Sequence, residues 1–279
     1  MRMMRRKFAL EVACIVAGIA MLLLLPGAQA QNNPDEIMPA ASAAKAKGLL
    51  QQAIEGLGGA AYLNVHNSDC SGRYAQFQHS GEIGGYLEIR EYREMPDKER
   101  VEYGPKGIIV DIYAGDKGWT LDRGGVSEVP ATDMADYEDQ LKMQMGNVLR
   151  NRMNDDGLFF RYGGSDVVDL KEADWVEIGD REGRTLRIAL GRSDHLPIRS
   201  VLLERDAKTG QKTERSVYYT TYHLIDGIQT AFRESRFLNG RQVYGVFLDS
   251  CSYDVDLPAD FFTRESLDQR FGQLRKNKK

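Results

Sequence analysis

Four histidines, His66, His79, His195 and His223, stand apart from one another, and none belongs to a His-Glu-x-x-His pattern or to another spaced set of metal ligands. No Gly-x-Ser-x-Gly elbow exposes a nucleophilic serine, and no glycine-rich loop is built to cradle a phosphate. Gly84-Gly85, Gly124-Gly125 and Gly163-Gly164 read as turns or strand bends. Asp254-Val255-Asp256 and Asn154-Asp155-Asp156 offer oxygens to calcium, but neither has the spaced ligands and glycine of an EF-hand loop, so both read as solvated turns. Glu88, Glu91 and Glu94 are the nearest approach to paired catalytic carboxylates. On a strand Glu88 and Glu94 share one face and Glu91 the other, which suits a charged outer surface better. No catalytic residue, metal ligand or cofactor is assigned, and a hydrolase with a site outside these motifs is the weakest functional reading.

The cysteines carry a different message. Cys14 lies in an apolar N-terminal segment, which leaves Cys70 and Cys251 for the rest of the chain. Two cysteines in an oxidising compartment suggest one disulfide joining the first strand region to the last, with two separate buried thiols as the alternative. The chain-entropy model assigns so long a loop up to about 4–5 kcal/mol.

That compartment is read from residues 1–30. Arg2, Arg5, Arg6 and Lys7 precede an uncharged run from Ala13 to Leu25, Pro26-Gly27 breaks it, and Ala28-Gln29-Ala30 presents small residues to a signal peptidase. The run is shorter than the roughly 20 residues of a membrane-spanning helix. Cleavage after Ala30 and a periplasmic protein are expected; an uncleaved anchor would leave the same domain in the same compartment. Cys14 is too early for lipid attachment. Arg5-Arg6-Lys7-Phe8 faintly resembles a twin-arginine signal, but the run of leucines favours the general secretory route.

Loss of this segment takes the formal net charge from −4 to about −7, a poor balance for nucleic acid. No second apolar stretch of membrane length follows. Residues 31–42 read as a flexible leader. A helix is expected over Ala43–Leu57, where Ala46, Leu50, Ala53, Ile54 and Leu57 recur at helical spacing before Gly58-Gly59. The period then becomes two. Strands are expected over Tyr86–Tyr92, Arg100–Tyr103, Ile108–Tyr113 and Trp119–Leu121. Asp133 caps a second helix with Met134, Tyr137, Leu141, Met145 and Val148 or Leu149 along one stripe, a core face or a ligand lid. Seven further strands follow between Leu158 and Ser250, with hairpin turns such as Asp206–Gly210 and Asn239-Gly240. Trp119 and Trp175 read as core anchors ahead of ligand-stacking residues, and residues 264–279 as a polar, solvated C-terminal tail.

Such a chain is α+β and mainly antiparallel β, in one domain over residues 43–263. A long meander closes into a barrel, pairs with a second sheet, or wraps around its helices. Two amphipathic helices fit the third: a curved, unclosed half-barrel with helices on its concave side and an apolar cavity left over.

The order of short motifs agrees. Ala53-Ile54-Glu55-Gly56-Leu57-Gly58-Gly59 is followed by Val110-Asp111-Ile112-Tyr113-Ala114-Gly115-Asp116-Lys117-Gly118-Trp119. Leu196-Pro197-Ile198-Arg199, Tyr222-His223-Leu224-Ile225-Asp226-Gly227-Ile228 and Val255-Asp256-Leu257-Pro258-Ala259-Asp260-Phe261-Phe262 come later. This succession, over about residues 44–263, resembles the outer-membrane lipoprotein-sorting proteins of the LolA/LolB-like superfamily. The resemblance implies an unclosed antiparallel barrel with a helical lid over a hydrophobic cavity, and carriage of acyl chains or service as an envelope sensor. The chain departs from the pattern where Gln229-Thr230-Ala231 replaces a usual proline, in lacking a receptor's lipid anchor, and in offering no evident lid-locking arginine.

The expected function is a periplasmic lipid- or lipoprotein-binding carrier or sensor, without covalent chemistry or cofactor. Its candidate cavity lining is Ile108, Val110, Ile112, Trp119, Leu121, Phe160, Leu186 and Ile188, with Leu141 and Met145 from the lid. The driving force would be about 0.8 kcal/mol per buried methylene. The alternative is a cell-envelope interaction module with a filled core, docking a membrane-protein partner and binding no lipid.

Overall fold

A computed structural model describes Pro34, residues 37–205 and residues 209–276. The proposed signal peptide, residues 31–33, 35 and 36 of the leader, Asp206–Lys208 and residues 277–279 lie outside them. The chain divides into Met1–Ile37 and a main unit, Met38–Lys279, to which the architecture below belongs.

Helix α1 spans Pro39–Leu57 and starts inside the stretch read as a leader, with proline in its first turn, where the missing N–H costs nothing. Ala46, Leu50, Ala53, Ile54 and Leu57 form its buried stripe. Gly58 ends it at φ 131°, and a side chain there would collide with the Gly227 carbonyl, so both the turn and the close approach require glycine. The short helix α2, Ala60–Asn64, leads into the sheet.

Thirteen strands follow: β1 Asn67–Phe77, β2 Ile83–Glu94, β3 Lys98–Tyr103, β4 Ile109–Ala114, β5 Lys117–Asp122, β6 Gly125–Glu128, β7 Phe159–Val168, β8 Lys171–Gly179, β9 Thr185–Gly191, β10 Pro197–Arg205, β11 Lys212–Ile225, β12 Ile228–Leu238 and β13 Arg241–Tyr253. All neighbours are antiparallel, in the order β6-β5-β4-β3-β2-β1-β13-β12-β11-β10-β9-β8-β7. Two meanders therefore meet at one seam, β1 with β13, while β6 and β7 are left as unpaired edges of an unclosed half-barrel. Cys70 and Cys251 face each other across that seam and are joined, their Cα atoms 4.0 Å apart.

The chain crosses from edge β6 to edge β7 through helix α3, Ala131–Lys142, the single turn α4, Met145–Asn147, and a π-helical turn over Val148–Arg152. The long second helix expected from the stripe is thus broken. Pro130, not Asp133, holds the cap position. Gln144 is extended, and this turns Met143, Val148 and Leu149 into the α1 cluster instead of leaving them in line with Met134.

The C-terminal tail expected from its polarity is also corrected. Arg264–Lys276 forms helix α5, because Leu267, Phe271 and Leu274 recur at i, i+4 and i+7 and pack on β4 and β5.

Alternation along strands, carried across the sheet by the pairing register, sorts side chains onto two faces. On the concave face Val176, Ile178, Leu186, Ile188, Leu190 and Leu202 pack against α1. Val110, Ile112 and Leu121 lie on the convex face under α5, with Phe262 and Leu267.

Candidate functional site

Helix α1 and the cluster it packs on occupy the concave face of the β7–β12 half of the sheet. Beside it, the register of β1–β4 with β13 and its neighbours builds a floor of cross-strand rows. One row is Leu87, Tyr74, Val246, Glu234 and Tyr219. The next is Ile109, Tyr103, Ile89, Gly72 and Leu248. The third is Asp111, Val101, Glu91 and the Cys70–Cys251 bridge. The fourth is Tyr113, Glu99, Arg93, Ser68 and Tyr253. Along the strands the floor therefore passes from apolar and aromatic to charged. Leu87 and Ile109, at its apolar end, are 49% and 45% exposed.

The charged end is internally paired. Arg93 Nε donates to Glu91, and its Nη2 donates to Glu99 Oε1 at 2.8 Å. Arg236 donates to Glu234 Oε2 at 2.7 Å and to the Tyr244 hydroxyl at 2.9 Å, and the Tyr244 ring lies 5.0 Å from that of Tyr74. Burial raises Glu99 above the ordinary carboxylate range, and its neighbour Glu91 adds to the rise. Glu91 itself is held low against the cost of its burial, because Arg93 and a hydrogen bond from Glu99 favour its charge. Burial also raises Asp111, opposed by hydrogen bonds from Thr120, at 2.7 Å, and from Tyr103. Every guanidinium here is spent on a carboxylate, so the arrangement offers polar and aromatic contacts rather than a free cation. The burial of Tyr103 and Tyr219 raises both phenols.

Helix α3 hangs over the charged end. The Tyr137 ring stacks on Tyr113 of β4, with centroids 4.2 Å apart. Two residues further along the helix, Arg184 Nη1 donates to both the carbonyl and the carboxylate of Asp139, each at 3.2 Å. The helix thus bridges the two halves of the sheet through one aromatic stack and one ion pair.

The residues expected to line a single cavity do not converge. Val110, Ile112, Trp119 and Leu121 belong to the convex cluster under α5. Ile108 precedes β4 and is partly exposed. Leu186 and Ile188 are sealed beneath α1, with Phe160 and Met145 packed against the same cluster, and Leu141 is half-buried in α3. The cause is strand parity. On β4 the concave side chains are Ile109, Asp111 and Tyr113, one residue out of step with the apolar ones. Of the glutamates expected on a charged outer surface, Glu88 faces outward and Glu91 inward. Asp254 is a structural turn residue, its carboxylate accepting from the His66 N–H at 2.7 Å. Trp175 is buried on the convex face beneath Arg187, consistent with a core anchor.

Solved structures share this arrangement of strands. A DUF1329 family protein from Desulfovibrio piger superposes with a TM-score of 0.58 at 12% identity, over 81% of this chain and 99% of that one. A putative outer membrane lipoprotein-sorting protein domain from Vibrio parahaemolyticus gives 0.55 at 10% identity, over 81% and 99%. The fold is LolA-like. A LolA superfamily protein from Nitrosomonas europaea gives 0.50 at 14% identity, over 80% of this chain and 99% of that one. No protein-family model and no curated protein sequence matches the chain. The LolA-like half-barrel is recognised here by its backbone. No helix among the described residues is long and apolar enough to cross a membrane.

Proposed function

We propose that this chain is a periplasmic lipid- or lipoprotein-binding protein, a carrier or sensor that holds an acyl chain on the uncovered part of its concave floor and performs no covalent chemistry. The observation that supports it is the amphipathic order of the rows. Leu87, Tyr74, Val246, Ile109, Tyr103 and Leu248 form an apolar track, with Leu87 and Ile109 exposed, and the track runs into Glu91, Arg93 and Glu99 near α3. An acyl chain on the track removes those side chains from water, at about 25 cal/mol per Å² of apolar surface. The polar end of the ligand then meets the charged rows. Neighbours of the same fold include a lipoprotein-sorting domain, which agrees with this reading. The bound segment comes from a free lipid or from a lipoprotein, and an envelope membrane protein is the natural donor or receiver.

A second reading, an interaction module without a lipid, is favoured by one feature: the apolar concave side chains of β8–β10 are buried against α1. Native mass spectrometry after gentle purification, followed by titration with a fluorescent fatty acid, separates the two. The carrier binds the probe, and Leu87→Glu weakens binding about tenfold or more, the loss of one apolar side chain's contact. A protein that emerges ligand-free and ignores the probe is the interaction module.

A further inference from the structure

Tyr137 sits near a carboxyl group, Glu99, whose charge is opposed by its burial. Glu99 lies beside Tyr113 in the fourth row, and Tyr137 is stacked on Tyr113 from above. Glu99 shares the single guanidinium of Arg93 with Glu91. The charged and titratable groups around it are few. They are Glu91 and Arg93 on β2, Asp97 in the β2–β3 turn, Tyr103 on β3, Asp111 and Tyr113 on β4, Glu234 and Arg236 on β12, Tyr244 and Tyr253 on β13, and Asp133 and Tyr137 on α3. Arg236 hydrogen-bonds Glu234, so Glu91 and Glu99 have the one guanidinium of Arg93 between them. Protein still leaves 20% of the Glu99 side chain accessible, enough for a proton to come and go.

Helix α3 is well placed to respond. Its hold on the sheet includes the Tyr137–Tyr113 stack, the packing of Met134 near Gly118, and the Asp139–Arg184 pair. We propose that α3 is a proton-gated lid over the concave cleft, closed while Glu99 is protonated and released when Glu99 ionises. The inference rests on the cleft being the binding site and names its regulation. The physical link is desolvation. The closed lid keeps water from Glu99 and so favours its neutral form; by linkage, ionising Glu99 must favour the lid-open state to the same degree. Burial is the largest cause of the raised Glu99 carboxyl, ahead of the opposing pull of Arg93 and the push of Glu91, as this coupling requires. Loading or unloading would then follow the pH of the compartment.

Hydrogen exchange of the folded protein over α3, corrected for the intrinsic pH dependence of exchange, tests the gate. Protection of the Ala131–Lys142 amides should fall about tenfold between about pH 5 and pH 8, one decade per unit of coupled pKa shift. Glu99→Gln, isosteric and unable to ionise, should hold α3 protected at every pH, whereas Glu234→Gln should leave the response in place. Protection that is independent of pH in the natural protein, or a pH response that survives Glu99→Gln, overturns the gate. The fatty-acid probe keeps the two claims apart. Probe binding at every pH over an unmoving α3 removes the gate and leaves the binding reading intact. A gate that responds to pH in a protein that binds no probe supports the gate alone.

Discussion

Arg93 holds two carboxylates with one guanidinium, and that stoichiometry shapes the response of the fold to pH. Glu99 is raised in the folded state, so its contribution to stability is complete below the ordinary glutamate range and is lost as pH rises through its elevated value. Glu91 is lowered, so its contribution is present above the ordinary range and is lost as pH falls through its depressed value. Thermal unfolding should therefore show a midpoint that declines from mildly acidic to alkaline pH, and Glu99→Gln should flatten that decline; an unchanged slope in the variant would remove Glu99 from the account. None of this was legible in the sequence. Glu91 and Glu99 are separated by a turn, and only the β2–β3 register shows that Arg93 stands opposite Glu99. The expected lining residues are scattered for a related reason. Alternation reveals that Val110 and Ile112 share a face, but the face of the whole sheet to which they belong depends on pairings several strands away.

At the scale of elements, strong periodicity was readable and weak periodicity was not. Helix α1 and the strands β8–β13 follow from apolar spacing and turn residues, including the hairpin at Asn239-Gly240. Strand β1, Asn-Ser-Asp-Cys-Ser-Gly-Arg-Tyr-Ala-Gln-Phe, has too few apolar residues to announce itself, because it lies at the centre of the sheet with a polar floor on one side. Helix α5 was hidden by its charge; its three apolar residues suffice because β4 and β5 supply the partner surface. Leu267 is fully buried there, and Leu267→Ala should cost about 2–5 kcal/mol in denaturant unfolding. A cost near zero would show α5 to be detached in solution. Helix α3 has only Met134 fully buried, so its sequence gives little sign of what it covers.

The whole molecule is a sheet that stays open because β6 and β7 never meet, with its two meanders stapled at the opposite side by Cys70–Cys251. The pairing of these cysteines was readable from compartment and count, and the seam gives it a physical role: the bridge joins strands at either end of the chain, 181 residues apart. The architecture was legible as a half-barrel around helices, because a long antiparallel meander with two amphipathic helices has few ways to bury one face. What was not legible is that the helix filling the apolar half leaves a second, amphipathic half uncovered, and it is there that the binding account is made. Photo-crosslinking of the purified protein with a diazirine-bearing fatty acid, followed by peptide mapping, tests that account most directly. Label on β1, β2 and β13, centred on Tyr74, Leu87 and Val246 and lost in Leu87→Glu, is the predicted result. Label confined to the convex side under α5, or spread without preference over the surface, would contradict it.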